Sequence, residues 1–560
     1  MTSHSSLDGN LFKEIICGGA ASLKSHAAEV NNLNVFPVPD GDTGDNMAMT
    51  VMSGVASMKK TDSDSVGEVA AALSRGMLLG ARGNSGVILS QFWSGVAKQL
   101  EGKDEVDATL LSEALSYGVK QAYRSVMSPT EGTILTVARE GVGNAIIRLD
   151  HEGTIYALLS NVKSEMFTSL SNTPNLLPVL KEAGVIDSGG AGLYYIFEGI
   201  VKTLSGEETS SDVLQQKEAP DTQSKTDVFS AFTEDSVMTY GYCTEFLLRL
   251  QSSKVDVASF DVSTITDYLT TIGNSIVSVK DGSVVKIHVH TLEPEKVLGF
   301  CRKYGEFLTM KIENMSVQHS EKLADGAYPS KETGKAVPVK EYGTVAVCSG
   351  TGIMKTFEEL GADFVIDGGQ TNNPSTEDFI KAFDSVSARH IFVFPNNTNI
   401  ILAAKQAAEL YKGAQIHVIE SKDLGSGYVG LASFNTEVDS TDEMMSSIYE
   451  SMQNVVTGCV TTAVRSTEIG GVRIENGDNI CFVGKKMISS QKEKKEALHA
   501  LVDYIFADGE KFMITAFCGK DTSAPDRDEF RAYMKKHHPD AELYLVDGGQ
   551  DVYSYIVIAE

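Results

Sequence analysis

Asp40 and Asp42, separated by a single glycine, are the residues of this chain best placed by type and spacing to hold a metal ion. They lie in the run Asn34-Val-Phe-Pro-Val-Pro-Asp40-Gly-Asp42-Thr43-Gly44-Asp45-Asn46-Met47. Gly41 and Gly44 free the backbone to fold tightly around a ligand. Pro37 and Pro39 hold the approach extended and keep a helix from running into the loop. From Asn46 onward the pattern turns helical. The carboxylates therefore sit at or just before a helix N-terminus, where unpaired N–H groups and the helix dipole favour phosphate. Closely spaced hard oxygens suit Mg2+, which keeps several waters and is held by one or two carboxylates together with substrate phosphates. A calcium loop of the EF-hand kind needs Glu at its twelfth position; counting from Asp40 or Asp42 gives Val51 or Ser53 instead. A plain Asp-Gly turn leaves unexplained why prolines, glycines and three acids share so short a run.

Three further loops could lie against a ligand. Gly80-Ala-Arg82-Gly83-Asn84-Ser85-Gly86 permits close backbone approach, and Asn84 and Ser85 can cap the next helix while donating to a phosphate. Arg82 suits phosphate geometry, although a surface ion pair explains it equally well. Pro129-Thr130-Glu-Gly132-Thr133-Ile-Leu-Thr136 reads as a helix start with threonine caps. Ile186-Asp187-Ser188-Gly189-Gly190 reads as a loop against a ligand, or as a simple turn between helices. A P-loop is excluded, because Gly-x-x-x-x-Gly-Lys-[Ser/Thr] does not occur. Protein-kinase signatures are also absent.

The run from Asn34 to Met47 resembles the nucleotide-binding L subunit of the dihydroxyacetone kinases. It is more similar still to the ATP-binding subunits of bacterial fatty acid kinases. That resemblance implies a helical, barrel-like domain with its nucleotide loops at one end. It implies ATP with a pair of Mg2+ ions, held by Asp40 and Asp42. The dihydroxyacetone kinases carry another aspartate upstream; the nearest match here is Asn34, at a changed spacing. The resemblance places Thr43, Gly44, Asn46, Gly83, Asn84, Ser85, Gly86, Thr133, Asp187 and Gly189 around the nucleotide, with Arg82 at its phosphates. Helix capping is enough to account for Asp45.

The chain has 560 residues, which predicts several domains at the usual ~100–200 residues each. The formal net charge of −27 argues against nucleic acid or an anionic membrane as the main partner. It also means that anionic ATP needs local cations. Seven cysteines are scattered without a CxxC pair, which predicts a reducing cytoplasm. The N-terminal residues lack a basic segment followed by an apolar run, and no stretch reaches the ~18 apolar residues of a membrane span.

These elements predict a multidomain α and α/β protein. Residues 1–204 read as amphipathic helices: one opening near Leu11, then Val66 to Leu79, Leu110 to Val126, and Gly153 to Leu170. Residues 205–226 are polar and read as a linker. Residues 227–323 read as an α+β domain with a strand from Thr239 and a hairpin turning at Asp281-Gly282. His288 and His290 are two apart on that hairpin and share a face. With Cys243 as thiolate they would form part of a zinc site. The alternative is two half-exposed histidines and a buried cysteine, because a full ligand set is not visible. The fatty acid kinase resemblance continues through Tyr240-Gly-Tyr-Cys243 and Ile287-His-Val-His290, and it sets zinc level with that alternative, with His319 a weaker fourth ligand.

A second linker covers 324–341. Residues 342–560 alternate strands and helices, which predicts an α/β domain with a parallel sheet. Ala362-Asp-Phe-Val-Ile-Asp367-Gly-Gly-Gln370 echoes Ala541-Glu-Leu-Tyr-Leu-Val-Asp547-Gly-Gly-Gln550, so this domain reads as two duplicated halves. Ser349 to Gly352, Gln370 to Ser375 and Asn396 to Asn399 lie where such sheets bind ligands. Ordinary turn chemistry accounts for them as well. The resemblance implies that this domain is similar to the fatty-acid-carrier fold and engages a separate fatty-acid-binding carrier protein, and that the chain forms a homodimer.

The expected function is a kinase subunit passing the γ-phosphate of ATP to the carboxylate of a carrier-bound fatty acid. No general base is required, since a carboxylate nucleophile is ionised at neutral pH. The alternatives are a dihydroxyacetone-type small-molecule kinase subunit and a non-catalytic nucleotide-sensing scaffold.

Overall fold

Apolar residues at helical spacing form the helices of the N-terminal segment close to where the sequence puts them. A computed structural model describes residues 5–35, 41–149, 153–207, 242–257, 260–269, 271–281, 283–314, 340–369, 371–436, 438, 440–507, 509 and 511–560. The chain divides into two units, one comprising Met1–Gln216 with Glu332–Glu560, the other Lys217–Lys331.

The first unit opens with a helical layer: α1 (Gly9–Asn31), α2 (Thr43–Lys59), α3 (Val66–Leu79), α4 (Gly83–Leu100), α5 (Ala108–Arg124), α6 (Ile134–Ile147), α7 (Ile155–Leu176), α8 (Pro178–Ala183) and α9 (Ser188–Ser205). Two short strands, β1 (Leu7–Asp8) and β2 (Glu105–Val106), pair antiparallel beside them. Side-chain caps start several helices. Asp8 accepts from Leu11 N, Asp107 from Leu110 N and Thr154 from Ala157 N. Each satisfies an N–H that the helix leaves unpaired. One continuous core runs through the layer, with Phe12, Phe92, Trp93 and Phe197 buried at its centre. Phe92 and Trp93 meet edge to face, centroids 5.5 Å apart. Helices α1 and α9 cross so closely that a Cβ on Gly199 would lie 2.3 Å from the Gly18 carbonyl oxygen.

The C-terminal segment packs against this layer within the same unit, although the sequence reads as separate domains. Its first half holds β7 (Lys340–Cys348), α12 (Thr351–Glu359), β8 (Phe364–Asp367), α13 (Thr376–Ser385), β9 (Ala388–Phe394), α14 (Ile401–Leu410), β10 (Gln415–Val418), α15 (Leu424–Ala432) and α16 (Thr441–Met452). These strands form a sheet in the order β10-β9-β7-β8, parallel as expected. The second half holds β11 (Val456–Thr462), a small hairpin of β12 (Thr467–Ile469) and β13 (Val472–Ile474), β14 (Asn479–Val483), β15 (Lys486–Gln491), α17 (Lys494–Ala507), β16 (Met513–Cys518), α18 (Ala524–His537), β17 (Glu542–Asp547) and β18 (Tyr555–Ala559). Its sheet runs β15-β14-β11-β18-β16-β17.

Here the expectation of a repeated parallel theme needs correction. Only β16 and β17 are parallel; the other pairs are antiparallel. A turn of a few residues joins β14 to β15, and a connection that short can only reverse the chain. The two halves match locally at the strand ends. Cys348 pairs with Asp367 and Cys518 with Asp547 across parallel strands. The following glycines repeat one bond each, Gly368 N to the Cys348 oxygen and Gly548 N to the Cys518 oxygen.

Gln406 on α14 shows how the layers join. It is buried, donates to the Leu78 carbonyl at 2.7 Å, and accepts from Gln91 at 2.9 Å. A buried amide is tolerated because both its ends are satisfied across the seam.

The second unit has β3 (Tyr242–Leu250), α10 (Ser263–Leu269), β4 (Gly273–Asp281), β5 (Val284–Thr291), α11 (Pro294–Cys301) and β6 (Gly305–Asn314). The sheet order is β4-β5-β3-β6, antiparallel throughout. Alternate residues Phe246, Leu248 and Leu250 on β3, and Val285, Ile287 and Val289 on β5, are buried with Ile265, Leu269 and Val297. The period of two puts one face of the sheet against the helices. The hairpin forms, but Asp281 pairs with Val284, so its two-residue loop begins one position later than expected.

Candidate functional site

Four helix N-termini converge: those of α2, α4, α6 and α9. Helix α9 meets α2 through Ser188 Oγ, which lies 3.3 Å from Asn34 Oδ1 and 3.4 Å from Thr43 Oγ1. It meets α6 through Asp187, whose carboxylate accepts from Gly190 N at 2.7 Å and from the Ile134 backbone. Ser85 at the start of α4 approaches Gly189. Helix α4 meets α2 where Arg82 N donates to Thr50 Oγ1 at 3.2 Å. Gly83 has φ +58°, and a Cβ there would press on the Asn46 amide at 2.8 Å. Glycine is needed on both counts. Helix N-termini gathered this way bring positive dipole ends to one place.

Within this arrangement Asp42 is the N-cap residue of α2, yet its side chain makes no capping bond. Asn31, at the end of α1, does that work: its Oδ1 accepts from Gly44 N at 2.7 Å and Asp45 N at 3.3 Å. Asp45 is exposed and accepts from Asn31 Nδ2, consistent with a local role at the helix start. Helix α2 lies so near α1 that a Cβ on Gly44 would sit 2.2 Å from the Ala27 oxygen. Asp42 is thus free to face the convergence point. Burial pushes its carboxyl up to about 6, the Asp45 charge adds to this, and hydrogen bonds from Asn46 and Asn373 offset part of it. Burial likewise raises Asp187 to about 6.

Asn34 is engaged with neighbours: its Oδ1 accepts from Thr43 Oγ1 at 2.9 Å and its Nδ2 donates to the Asn31 oxygen. Asn84 donates to Asn399 at 3.2 Å, while its own Oδ1 is buried without a partner. Thr133 is the N-cap of α6 but donates to the Thr130 carbonyl instead of accepting a capping bond. Gly86 packs against Thr50. Arg82 resolves toward the inter-layer contact: its Nη1 donates to the Asn373 oxygen at 2.7 Å and its Nη2 lies 3.5 Å from Asp378. Asp40 and His319 lie outside the described residues.

A magnesium–phosphate group fits these residues. A half-buried carboxylate meets amides and no described cation, orphaned amide oxygens of Asn84 and Asn373 are present, and four helix N-termini gather there. Composition could not show Asn31, Asn46 and Asn373 as partners of this loop, because their roles depend on long-range packing.

In the second unit, Cys243 is the register partner of His290, and Glu245 of His288. Among the described residues no group of three or more His, Cys, Asp or Glu side chains could hold a metal. None of the described helices is long and apolar enough to cross a membrane.

In the C-terminal segment, all three loops flagged at the strand ends contribute to one cavity of about 130 Å3, through Ser349, Thr371, Asn372 and Asn396, with Gln550 from the second half.

Comparison with known proteins accounts for most of the chain. The DAK2 domain model matches residues 37–202. The FakA-like middle-domain and C-terminal models, both of the fatty acid kinase type, match residues 239–322 and 343–560. Protein YloV of Bacillus subtilis is 39% identical over 563 residues, covering 99% of both chains. An uncharacterized protein of Staphylococcus saprophyticus is 38% identical, covering 99% of this chain and 100% of its own. Among solved structures, the dihydroxyacetone kinase from C. freundii in complex with AMP-PNP and Mg2+ matches at a TM-score of 0.28 and 19% identity, over 34% of each chain. DegV, a fatty acid binding protein from Bacillus subtilis, matches at 0.30 and 9% identity, over 39% of this chain and 99% of its own. With three consecutive domain models in register and relatives aligned end to end, the chain belongs to the FakA-like family of fatty acid kinase subunits.

Proposed function

We propose that this chain is the ATP-binding subunit of a fatty acid kinase. It would transfer the γ-phosphate to the carboxylate of a fatty acid presented by a separate carrier protein, giving an acyl phosphate. The observation that carries this reading is the convergence of four helix N-termini on a half-buried Asp42 that has no cation among the described residues. Asp40 and Asp42 would hold magnesium, which when bound neutralises phosphate charge. The N–H groups left without a partner at the starts of α4 and α9 would bind the phosphates, with Asn46, Asn84 and Ser85 orienting them. Phosphoryl transfer asks little more of a protein than such positioning and charge neutralisation.

In the second unit, the zinc reading rests on residue type and spacing alone, Cys243 with His288 and His290 two apart.

The test is ATP turnover by the purified chain with fatty acid plus carrier, with dihydroxyacetone, and with neither. Carrier- and lipid-dependent turnover supports the reading. Turnover on dihydroxyacetone alone would replace it with a small-molecule kinase, and absence of turnover in every arm would leave a nucleotide-binding scaffold.

A further inference from the structure

Asn373 is carried by the C-terminal segment, between β8 and α13, yet its side chain reaches the loop of the helical layer. Its Nδ2 donates to Asp42 Oδ2. Only 1% of the residue is exposed. Its Oδ1 is buried and has no hydrogen-bond partner. Buried amide oxygens are nearly always satisfied, so one that is not requires an explanation. This one belongs to the same amide that holds the Asp42 carboxylate. A carboxylate and a neutral amide oxygen together are the hard donors that a hydrated magnesium ion takes.

The placement is firm. Ser375 and Asp378 form a capping box that starts α13. Ser375 bridges to the Arg82 backbone, and Thr376 N donates to the Ala81 oxygen at 3.1 Å. Arg465, between β11 and β12, donates to the carbonyls of Asn32, Asn34 and Val35. The α/β layer therefore touches the chain before the acidic run and again at Asp42.

We propose that Asn373 belongs to the magnesium–nucleotide site, its side-chain oxygen serving the hydrated cation that Asp42 holds, so that the site is complete only when the two layers are docked. This rests on the reading of the Asp40–Asp42 loop as a magnesium–phosphate site. Docking and cation binding are then linked, and each strengthens the other.

The experiment uses the full chain and AMP-PNP, titrated by calorimetry with and without Mg2+, together with thermal melts. Asn373→Ala should weaken binding of AMP-PNP in Mg2+ by about tenfold or more, in the range of outer-shell ligand losses, and leave Mg2+-free binding unchanged. Asn373→Asp sets a second carboxylate beside Asp42. Its melting temperature should fall without Mg2+ and recover when Mg2+ alone is added. A residue that only supports packing would weaken binding equally with and without Mg2+, and the Asp variant would not be rescued; that result overturns the inference. If the Ala variant does not fold, the rescue of Asn373→Asp decides. Wild-type binding in Mg2+ that neither variant alters refutes the role of Asn373 alone. A wild-type chain that binds no AMP-PNP in Mg2+ refutes the underlying kinase reading instead.

Discussion

Replacing Asp42 with asparagine should make the nucleotide-free protein more stable at about pH 8 while removing its response to magnesium-nucleotide. The reasoning starts from burial. Asp42 has its carboxyl raised from 3.8 to about 6, chiefly because burial disfavours the ionised form. The difference, 6 − 3.8, is about 2 units, and at ~1.4 kcal/mol per unit the ionised form costs about 3 kcal/mol. The side chain keeps some contact with solvent, which screens the effect, so about 1–2 kcal/mol is the expected size. The sign follows from linkage. A raised carboxylate pKa destabilises the folded state where the group is ionised in both states, above about pH 6. That penalty disappears below about pH 4, where the group is protonated in both. The neutral amide that Asp42→Asn introduces carries no such penalty and still offers an oxygen to the Asn46 or Asn373 side chain.

The assay is thermal unfolding of wild type and Asp42→Asn at about pH 8 and about pH 4.5, with and without Mg2+ and AMP-PNP. The variant should melt a few degrees higher at the upper pH, since 1 kcal/mol moves a domain of 150–250 residues by roughly 2–4 °C. The gap should narrow toward the lower pH. Ligand at a hundred times its dissociation constant should add ~2.7 kcal/mol to the wild type and nothing to the variant. A variant that melts below the wild type at the upper pH, or a gap that is the same at both, would mean that the charge on Asp42 is already compensated. The argument from an uncompensated buried carboxylate would then be wrong.

Gly44→Ala puts a methyl 2.2 Å from the Ala27 oxygen, so α1 and α2 must separate; urea unfolding should register a loss of about 1–3 kcal/mol, and an unchanged midpoint would refute the close approach. Arg82→Ala removes the contacts to the Asn373 carbonyl and to Asp378; because Arg82 and Asp378 meet through their side chains, the Arg82→Ala/Asp378→Ala double variant should lose less stability than the sum of the single losses, and strict additivity would refute the pairing. Cys243→Ser should lower the zinc content of purified protein, and equal zinc in both proteins would remove the proposed site.

The local signals in this sequence are reliable wherever structure is local. The helix from Val66 to Leu79 forms over those residues. The hydrophobic period of two along β3 and β5 puts Phe246, Leu248, Val285 and Ile287 in the core. The Asp-Gly-Gly-Gln echo marks equivalent strand ends. What the sequence could not reveal depends on contacts across hundreds of residues. Asn373 lies 331 residues from Asp42 along the chain, and Arg465 lies 433 from Asn32. No periodicity or spacing rule reaches that far. Arg82 is a case where local chemistry leaves two readings open: the guanidinium fits a phosphate, but packing supplies the Asn373 carbonyl and the Asp378 carboxylate first.

The segment from Thr371 to Ser375 explains why the two layers need each other. It bends at Thr371 and Asn372, where Gly369 N donates to the Asn372 oxygen at 3.0 Å. Thr371 and Asn372 line the cavity at the strand ends of the α/β layer. Asn373, the next residue, turns to Asp42, and Ser375 pairs with the backbone of Arg82. One short stretch thus touches the cavity on one side and the acidic loop on the other. Asn372 and Asn373 are adjacent, so under the proposed reading the cavity and the acidic loop share one strip of backbone. The buried, unpartnered amide oxygen of Asn373 lies in the seam between the layers; beside a carboxylate that burial already disfavours, it is the donor that the proposed shared site would use.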